Sequence, residues 1–561
     1  MELNPQKKLA GILAPVFALK GTLDLGVGDT AALEELLTWA KANKVGAIQV
    51  LPVNEPGGDH SPYNLLSAMA LDPLTAATVP GRLPGLSEDD FREICKRHGH
   101  TPSDRVDYPA VSALKRGLFE AAFAGLGSRM PAGFRRFLRE QADWIHDYAT
   151  HRALVDLHGS EVSSDWPEDH RSPEAARAWL ESRPAAERRA FRKREKFFCF
   201  VQWVTLTQWL GVRKLAEAAG VALIGDLPVG VSLYSADTWA RPGIFDLTRS
   251  SGAPPEKVFK SDPFTEQWGQ NWGFPLYDWR AMAADNFAWW RMRLRHLLKV
   301  FHLVRADHAL GFFRIYSFPW RPEENHRFVG LTPEQAAEIT GGPLPGFIDF
   351  PDDTDEHREH NRRKGEMTLR MFLEECGAHR LVAEDLGEVA PYVRPVLAEL
   401  EIPGFKIPQW EKTWDRLTPG RDYPRISLAT FATHDHPPLR AAWEELTAIS
   451  TDQSATPAQR DGAIHQLWEF AEFCGRPDLP LPRPFDDEVH LLMLKGLLLS
   501  NSWLAVHMVT DLFGLADRFN IPGSPEGNWT YRIPWPVREW NARHQSLLAH
   551  FREAIAESGR A

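Results

Sequence analysis

Three short apolar segments that end abruptly in acidic residues constrain this chain more than any other feature. They occupy residues 304–308, 381–387 and 428–436. An acid placed where a buried strand reaches the surface is held by a rigid scaffold and is still open to a substrate. The sequence therefore predicts a cleft that splits a bond by acid–base and nucleophilic chemistry. The candidate catalytic residues are Asp307, Glu384 and Asp435.

Similar apolar runs recur along the chain and predict a parallel β-barrel. Each run is short and almost continuously apolar, which is typical of strands buried on both faces of a parallel sheet. Between the first two runs, Asp29 can cap an amphipathic helix that ends near Asn43, which completes a βαβ unit. The count approaches eight, so we predict a (β/α)8 TIM barrel with helical insertions. The candidate strands are residues 9–16, 45–51, 221–226, 301–307, 380–384, 426–433 and 502–509.

An open, doubly wound α/β sheet is the alternative fold. Such a sheet usually carries a glycine-rich phosphate-binding turn after its first strand, and the sequence has no such turn there. Residues 87–220 break the strand–helix alternation, because their pattern is helical and charged without a convincing strand-like run. We predict that they form a helical insertion or subdomain within a single catalytic unit of residues 1–561.

Charge and cysteine usage argue against several classes of protein. The 64 basic and 75 acidic residues give a net charge of −11 without a basic stripe, which argues against a nucleic-acid partner. No apolar stretch reaches the length of a membrane span, which argues against a membrane protein. Gly11 and Pro15 interrupt residues 9–16, so we interpret this run as a strand and not as a signal peptide. The four cysteines lie far apart in the sequence and show neither a metal-ligand spacing nor a disulfide framework. This usage is typical of a reducing compartment, so we predict a cytoplasmic protein.

The segment His434-Asp435-His436 leaves a metal-dependent, amidohydrolase-type barrel open as an alternative. Two histidines separated by one residue on a strand are a ligand spacing in such enzymes. A metal site would need further ligands from other strands. Asp307 and His308 could contribute, but no second His-x-His pair stands at the end of another strand. We predict that the protein uses no metal and no other cofactor.

The motifs along this chain resemble those of the amylomaltase family, the 4-α-glucanotransferases. The matching residues are 51–54, 61–63, 224–229, 235–237, 252–255, 269–273, 305–308, 383–387, 433–435 and 522–529. They follow the same order over nearly the whole chain, so the resemblance is specific. It implies the (β/α)8 fold that the strand pattern predicts independently. It also implies transfer of segments between maltooligosaccharides and α-1,4-glucans, while a plain α-glucan hydrolase of the same clan would carry the same acids and stays an alternative.

The resemblance implies a role for each candidate residue. Asp307 matches the nucleophile, Glu384 the general acid/base, and Asp435 the acid that stabilises the transition state. Arg305 lies two positions before Asp307 on the same strand, so it points to the same interior and can hold Asp307 in its charged form. Glu384 must carry a proton near neutral pH, so we expect its pKa to exceed that of a free glutamate. The implied substrate-binding residues are Ser61, Tyr63, Asp226, Gln270, Trp272, Arg305, His308 and His434.

One motif departs from the common form of the family. Many members carry a basic residue in the stretch Asp-His-x-Arg-Gly, and this chain has Leu310 at that position. With residues 439–445 after His434-Asp435, this makes the chain more similar to the cytosolic disproportionating enzyme of plants and its bacterial relatives. Those enzymes often carry N-terminal starch-binding domains, for which we expect no room before the first strand here.

Overall fold

Eight parallel strands form a closed barrel in the computed structural model, which describes residues 1, 3–99, 103–127, 130–255, 262–413, 416–524 and 527–560. Each strand pairs with the next one along the chain, and the first pairs with the last, Leu9 opposite Leu504. This confirms the predicted (β/α)8 barrel. In chain order the strands are β1 (Leu9–Leu13), β2 (Ala47–Gln49), β3 (Ala222–Leu227), β4 (Leu303–Ala306), β5 (Leu381–Ala383), β6 (Gly404–Lys406), β7 (Ser427–Ala429) and β8 (Leu504–Met508).

Alternate residues of these strands fill two separate cores. Outward-facing residues such as Leu223 and Val304 pack in the large core shared with the helices. Inward-facing residues such as Ile224, Leu303 and Val382 form a smaller core inside the barrel. Side chains alternate along a strand, so the next inward position lies two residues further on. These positions are Asp226 in β3, Arg305 in β4 and Glu384 just after β5, and they place polar groups above the apolar layer. The barrel interior is therefore apolar below and charged at its C-terminal end.

Strand β6 is the one barrel strand that the sequence pattern does not predict. The strand consists of the three residues Gly404–Lys406, and Pro403 and Pro408 lie on either side of it. Glycine, a nearby proline and a buried lysine all disrupt the apolar signal that marks the other strands. Among the described residues between β6 and β7, short 3-10 turns and the two-stranded hairpin Lys412–Thr413 and Arg416–Leu417 replace the expected helix.

Helices surround the barrel, and the first of them lies where the amphipathic pattern predicts it. Asp29 caps the first helix, since its carboxylate accepts hydrogen bonds from the backbone amides of Ala31 and Ala32 at 2.9 and 3.2 Å, and Asn43 is its C-cap, as predicted. The α-helices outside residues 87–220 are Thr30–Ala42, Ala236–Ala240, Pro263–Trp268, Trp279–Ala284, Ala288–Val300, Pro333–Thr340, Asp355–Cys376, Val393–Glu399, Leu439–Thr451, Pro457–Phe473, Asp487–Leu498, Val509–Leu512, Trp540–Arg543 and Gln545–Glu557. Among the described residues, no helix is both long and apolar enough to cross a membrane.

Six α-helices lie in the described part of residues 87–220, between β2 and β3. They begin with a helix that Ser87 caps and end with one of 35 residues that leads into β3. That these residues form an insertion within a single catalytic unit stays a prediction. The six helices are Glu88–His98, Tyr108–Leu126, Ala132–Glu140, Ile145–His158, Pro173–Ser182 and Ala185–Ala219.

A four-stranded antiparallel sheet, which the sequence pattern does not predict, is built from the connections that follow β3 and β4. Its strands, in spatial order, are Gly346–Ile348, Ile315–Phe318, Ser250–Ala253 and Gln270–Asn271. It brings the 269–273 motif beside the end of β4, as the contact between Trp272 and His308 shows. The strands Phe245–Asp246 and Leu276–Tyr277 form a further small pair.

Arg560 joins the C-terminal segment to the N-terminal end of the barrel. The side chain is buried, with 2% of the residue exposed. Burial, reinforced by the charge of Arg425, lowers its pKa to about 9. The guanidinium donates hydrogen bonds of 2.7–3.0 Å to the backbone carbonyl oxygens of Leu9, Leu498, Ser500, Ser502 and Trp503. It thus binds the start of β1 and the residues that lead into β8, where the barrel closes.

We expect Arg560→Ala to lower the free energy of unfolding by about 2–3 kcal/mol, because it removes the buried hydrogen bonds from the guanidinium to five backbone carbonyl groups. Urea unfolding followed by tryptophan fluorescence would measure the change. Arg538→Ala, at an exposed position in the same region of the chain, is the matched control. Equal midpoints for the two variants would show that Arg560 does not stabilise the barrel closure.

Candidate active site

Arg305 lies at the centre of a charged cluster at the C-terminal end of the barrel. Its side chain is 4% exposed. Nη1 donates to both oxygens of Asp226 at 2.8 and 2.7 Å and lies 3.0 Å from Asp307 Oδ1, while Nη2 lies 3.8 Å from Glu384 Oε2. Although burial opposes the charged form, the surrounding acids, led by Asp226, raise the pKa of Arg305 well above its usual value. One guanidinium thus joins carboxylates from three neighbouring strands.

Glu384 directly follows β5 and points into the cluster. Its two oxygens accept hydrogen bonds from the backbone amides of His308 and Leu386, at 2.9 and 2.8 Å. Burial, reinforced by the negative charge of Asp307, raises the pKa of Glu384 to about 7, although Arg305 opposes the shift. The raised pKa agrees with the sequence-based expectation. Near neutral pH this carboxyl group can therefore both donate and accept a proton.

Asp307 directly follows β4 and is open to the cleft. Its side chain is 19% exposed, compared with 10% for Glu384. The next residue, His308, has a φ of +43°, a left-handed conformation that is rare outside glycine. This conformation turns the chain sharply after β4, so that the amide of His308 can reach Glu384. Backbone strain of this kind is common where a site needs an exact orientation of its side chains.

Asp435 reaches the site from a loop and not from the end of a strand. We expected a strand over residues 426–433, but β7 ends at Ala429 and the following residues form the loop. Asn520 Nδ2 donates to Asp435 Oδ1 at 2.6 Å, and Arg518 Nη2 donates to the Asp435 carbonyl oxygen, also at 2.6 Å. Burial opposes ionisation, but His434 and the Asn520 hydrogen bond outweigh it, so the pKa of Asp435 is lowered.

Three aromatic rings pack together beside the charged cluster. The rings of Tyr63 and His434 stack with centroids 5.0 Å apart and planes 13° from parallel. The Trp529 ring lies 5.9 Å from Tyr63 and 5.8 Å from His434. Tyr63 Oη also donates to Asp226 Oδ2 at 2.8 Å, which connects the rings to the charged cluster. We call Tyr63, His434 and Trp529 the aromatic platform.

Two further predicted residues, Trp272 and His308, lie on the β4 side of the cleft. The Trp272 ring meets the His308 ring edge-on at 4.9 Å, with planes 85° apart. Trp272 Nε1 donates to Gln270 Oε1 at 3.2 Å, so the two loop residues are held together. Burial lowers the pKa of His308 to about 4, and it also lowers the pKa of His434. Both imidazoles are therefore neutral at physiological pH.

Asp226 and Ser61 make their contacts behind the surface of the cleft. Asp226 is 1% exposed, and its oxygens are used by Arg305 and Tyr63. Burial raises its pKa to about 6. The Ser61 hydroxyl accepts from the backbone amide of Tyr63 at 3.4 Å, a contact within the turn that presents Tyr63. The structure thus places both residues where they can orient Tyr63.

Several residues around the cleft were not singled out from the sequence. Asn520 and Arg518 hold Asp435, and Trp529 completes the aromatic platform. Trp410, which is 53% exposed, lies edge-on to His436 with centroids 5.0 Å apart. Of these residues, only Trp529 had a signal in the sequence, because it is the last residue of the 522–529 family motif. Residues 525–526 of that motif lie outside the described part of the chain.

The His434-Asp435-His436 segment does not gather further metal-ligating groups. His436 Nδ1 hydrogen-bonds with the Thr433 hydroxyl at 2.8 Å, and the His434 ring is stacked on Tyr63. Across the described residues, no group of three or more His, Cys, Asp or Glu side chains is arranged to hold a metal ion. Leu310, at the position where many amylomaltases have a basic residue, is buried in the large core.

Comparison with known proteins decides the family. The family model described as 4-alpha-glucanotransferase matches residues 14–538 of this chain. The chain belongs to the 4-alpha-glucanotransferase family. It is an enzyme of this class, and the match does not favour the alternatives of a plain hydrolase or a metal-dependent barrel.

Individual relatives of this 4-alpha-glucanotransferase agree with that assignment. The 4-alpha-glucanotransferase of Chlamydia pneumoniae is 28% identical over 573 residues, which cover 97% of this chain and 95% of that protein. The rice 4-alpha-glucanotransferase DPE2 is 32% identical over 331 residues, which cover 57% of this chain and 33% of that protein. The fold matches the amylomaltase from Streptococcus agalactiae in complex with acarbose, with a TM-score of 0.76, 22% identity, and coverage of 99% of this chain and all of that one.

Proposed function

We propose that this enzyme transfers segments of maltooligosaccharides and α-1,4-glucans by a retaining double displacement, with Asp307 as nucleophile and Glu384 as general acid/base. Two observations support these roles most directly. The carboxyl groups of Asp307 and Glu384 both lie beside the Arg305 guanidinium, at 3.0 and 3.8 Å, and the pKa of Glu384 is about 7. A retaining glycosidase-type mechanism requires one carboxyl group that can carry a proton near neutral pH, as Glu384 can, beside a second that acts as nucleophile. Family membership supports glucans as the class of substrate.

In the first step, an Asp307 oxygen attacks the anomeric carbon of the bound glucan. The bond from this carbon to the glycosidic oxygen breaks, and the proton of Glu384 passes to that oxygen. The shortened glucan leaves with a free 4-hydroxyl group, and a glycosyl ester forms on Asp307. Arg305 remains next to both acids and balances the charge that moves from Asp307 to Glu384.

In the second step, Glu384 acts as the base. Its carboxylate takes the proton from the 4-hydroxyl group of an acceptor sugar, whose oxygen attacks the anomeric carbon of the ester. The ester bond breaks, Asp307 is released as a carboxylate, and Glu384 is protonated again. Two inversions at one carbon retain its configuration. Release of glucose from short donors follows when the leaving fragment is a single sugar.

Asp435 fits the third role, that of stabilising positive charge. The transition states of both steps resemble an oxocarbenium ion, so a nearby negative charge lowers the barrier. The lowered pKa of Asp435 keeps it ionised near neutral pH, and Asn520 fixes its orientation. The neutral His308 and His434 rings can donate hydrogen bonds to sugar hydroxyls without adding a charge.

The remaining predicted binding residues supply shape and apolar contact. Aromatic faces pack well against the C–H surface of a sugar, and Tyr63, the partly exposed member of the aromatic platform, offers such a face beside the charged cluster. Trp272 and Gln270 flank the cleft from the other side. Asp226 and Ser61 act behind them by orienting Tyr63.

We also propose a cytoplasmic location. Cys95, Cys199, Cys376 and Cys474 are all free thiols. Unpaired cysteines are usual in a reducing compartment and unusual in secreted proteins.

Chelation is expected to leave the transfer rate unchanged, because both chemical roles are carried by carboxyl groups. Incubation with excess EDTA, followed by an assay of maltotriose disproportionation, measures this. A reproducible loss that zinc or manganese restores would contradict the prediction and revive a metal site at His434-Asp435-His436.

Product analysis tests the proposed function. Purified enzyme is incubated with maltotriose, and the products are separated by size. Transfer yields glucose together with a ladder of oligosaccharides longer than maltotriose. Glucose and maltose without longer products would show hydrolysis and overturn the proposal.

A further inference from the structure

Tyr108, which the mechanism above does not use, contacts both loops that carry the aromatic platform. It is the first residue of the helix Tyr108–Leu126, and 9% of it is exposed. Its ring stacks on His60, with centroids 4.2 Å apart and planes 9° from parallel. Its hydroxyl group donates a hydrogen bond of 2.7 Å to the backbone carbonyl oxygen of Trp529. One side chain from the helical region thus joins the loop after β2 to the loop after β8.

Both contact points are close to the aromatic platform. His60 stands three residues before Tyr63 in the loop after β2, and Trp529 is itself a member of the platform. The two loops come from strands at distant positions in the chain, and each contributes a ring that packs on His434. A displacement of either loop would therefore change the spacing of the rings.

The backbone at both contact points is in a conformation that needs support. Trp529 has a φ of +61° and His60 a φ of +58°, in the left-handed region that bulky residues rarely adopt. The Trp529 amide donates to the Phe519 carbonyl oxygen at 2.7 Å, and Tyr108 binds its carbonyl group. The hydroxyl of Tyr108 therefore holds one side of the peptide that orients the Trp529 indole.

The backbone around Tyr108 is itself attached to the loop after β8. The Val106 amide donates to the Thr530 carbonyl oxygen at 2.7 Å, and the Arg532 amide donates to the Asp104 carbonyl oxygen at 3.0 Å. This short pairing holds the start of the helix beside Trp529. Tyr108 thus occupies a stable position from which it can act on both loops.

We propose that Tyr108 is a positioning residue for glucan binding, which holds His60 and Trp529 so that the aromatic platform receives the sugar bound beside Asp307. This inference rests on the proposed function of the cleft. It also assigns a purpose to the helices between β2 and β3: they supply the side chain that sets the distance between two loops of the active site.

Tyr108→Phe is the direct test, because it removes the hydroxyl group and keeps the ring that stacks on His60. We expect KM for maltotriose to rise about three- to tenfold, which corresponds to the loss of one hydrogen bond, and kcat to stay within about twofold of the wild-type value. Tyr423→Phe is the matched control, since Tyr423 is also buried and its hydroxyl has no hydrogen-bond partner among the described residues. It should leave KM unchanged. An unchanged KM in Tyr108→Phe would overturn the inference.

A double-mutant cycle tests whether Tyr108 acts through Trp529. If it does, Tyr108→Phe should have little further effect on KM in a Trp529→Ala background. The same fold-change in both backgrounds would contradict the inference, as would a lowered melting temperature without a change in KM.

His60→Asn gives a second, independent variant, because asparagine tolerates the left-handed conformation but cannot stack. It should also raise KM, and an unchanged KM would contradict a role for the stack. Wild-type enzyme is assayed with maltotriose in parallel. If the wild type makes no longer oligosaccharides, the proposed function fails; if it makes them and the Tyr108 and His60 variants match it, the positioning role alone fails.

Discussion

Replacement of Asp307 by Asn is expected to lower kcat/KM for maltotriose by at least about 10⁴-fold, because the amide cannot form the glycosyl ester. The side chain keeps its size, and it keeps an oxygen that can accept from Arg305 Nη1, which lies 3.0 Å from Asp307 Oδ1 in the native site. Binding of the glucan should therefore persist. Product formation by Asp307→Asn is measured over long incubations at high enzyme concentration.

Asp278→Asn is the matched control for this substitution. Asp278 caps the helix Trp279–Ala284, where its Oδ1 accepts from the Ala281 amide at 2.8 Å. Asparagine is an equally good cap, so this variant should keep wild-type turnover. Residual turnover above a few per cent in Asp307→Asn would show that another residue is the nucleophile.

Replacement of Glu384 by Gln is expected to lower turnover of maltotriose by about 10³- to 10⁴-fold, because glutamine cannot protonate the leaving oxygen. An α-glucosyl fluoride needs no such proton, so its first step should proceed in the variant. The second step needs the missing base and should stall, so the glycosyl-enzyme accumulates. Mass spectrometry of the quenched variant should show one added glycosyl unit on the peptide that contains Asp307.

The pH dependence of the wild type gives an independent check on Glu384. The first step requires Glu384 in its protonated form, and the pKa of Glu384 is about 7. Therefore kcat/KM should fall as the pH rises through about 7. With the fluoride, the first step in Glu384→Gln should lack this alkaline decline. Glu388→Gln is the matched control, because the Glu388 side chain is 62% exposed and pairs with the buried Arg314 outside the charged cluster. A label on another peptide, or a fluoride that reacts as slowly as maltotriose, would assign the proton transfer to a different residue.

Strand-end acids were the most predictable part of the site. Asp307 and Glu384 directly follow β4 and β5, and both strands have the nearly continuous apolar pattern of a buried parallel sheet, which in β4 only Arg305 interrupts. A strand that enters a barrel and ends in an acid leaves little freedom for the direction of that acid, because alternation along the strand decides which face it occupies. Local sequence therefore located both residues and the central Arg305.

Asp435 shows where this reasoning stops. Residues 426–433 have a strand pattern, but the paired strand covers only Ser427–Ala429. Phe431, beyond this strand, packs against Phe470 and Phe473 of the helix Pro457–Phe473 and not within a paired strand. Burial alone produces the same sequence signal. Strand β6 presents the opposite case, since Gly404–Lys406 is a paired strand without an apolar pattern. Pairing with β5 and β7 supplies the order that its own residues do not encode.

The sequence by itself determined the barrel, the acids at the ends of its strands and the family, because these depend on short-range alternation and on motifs of a few residues. Only the tertiary structure decided that Asn520 orients Asp435, that Asp226 lies behind Arg305, and that Tyr108 joins two loops. The hydrogen bond from Tyr108 to Trp529 joins residues 421 positions apart. Such contacts depend on where the closed barrel and the surrounding helices bring distant loops together, and no local pattern of residues records that geometry.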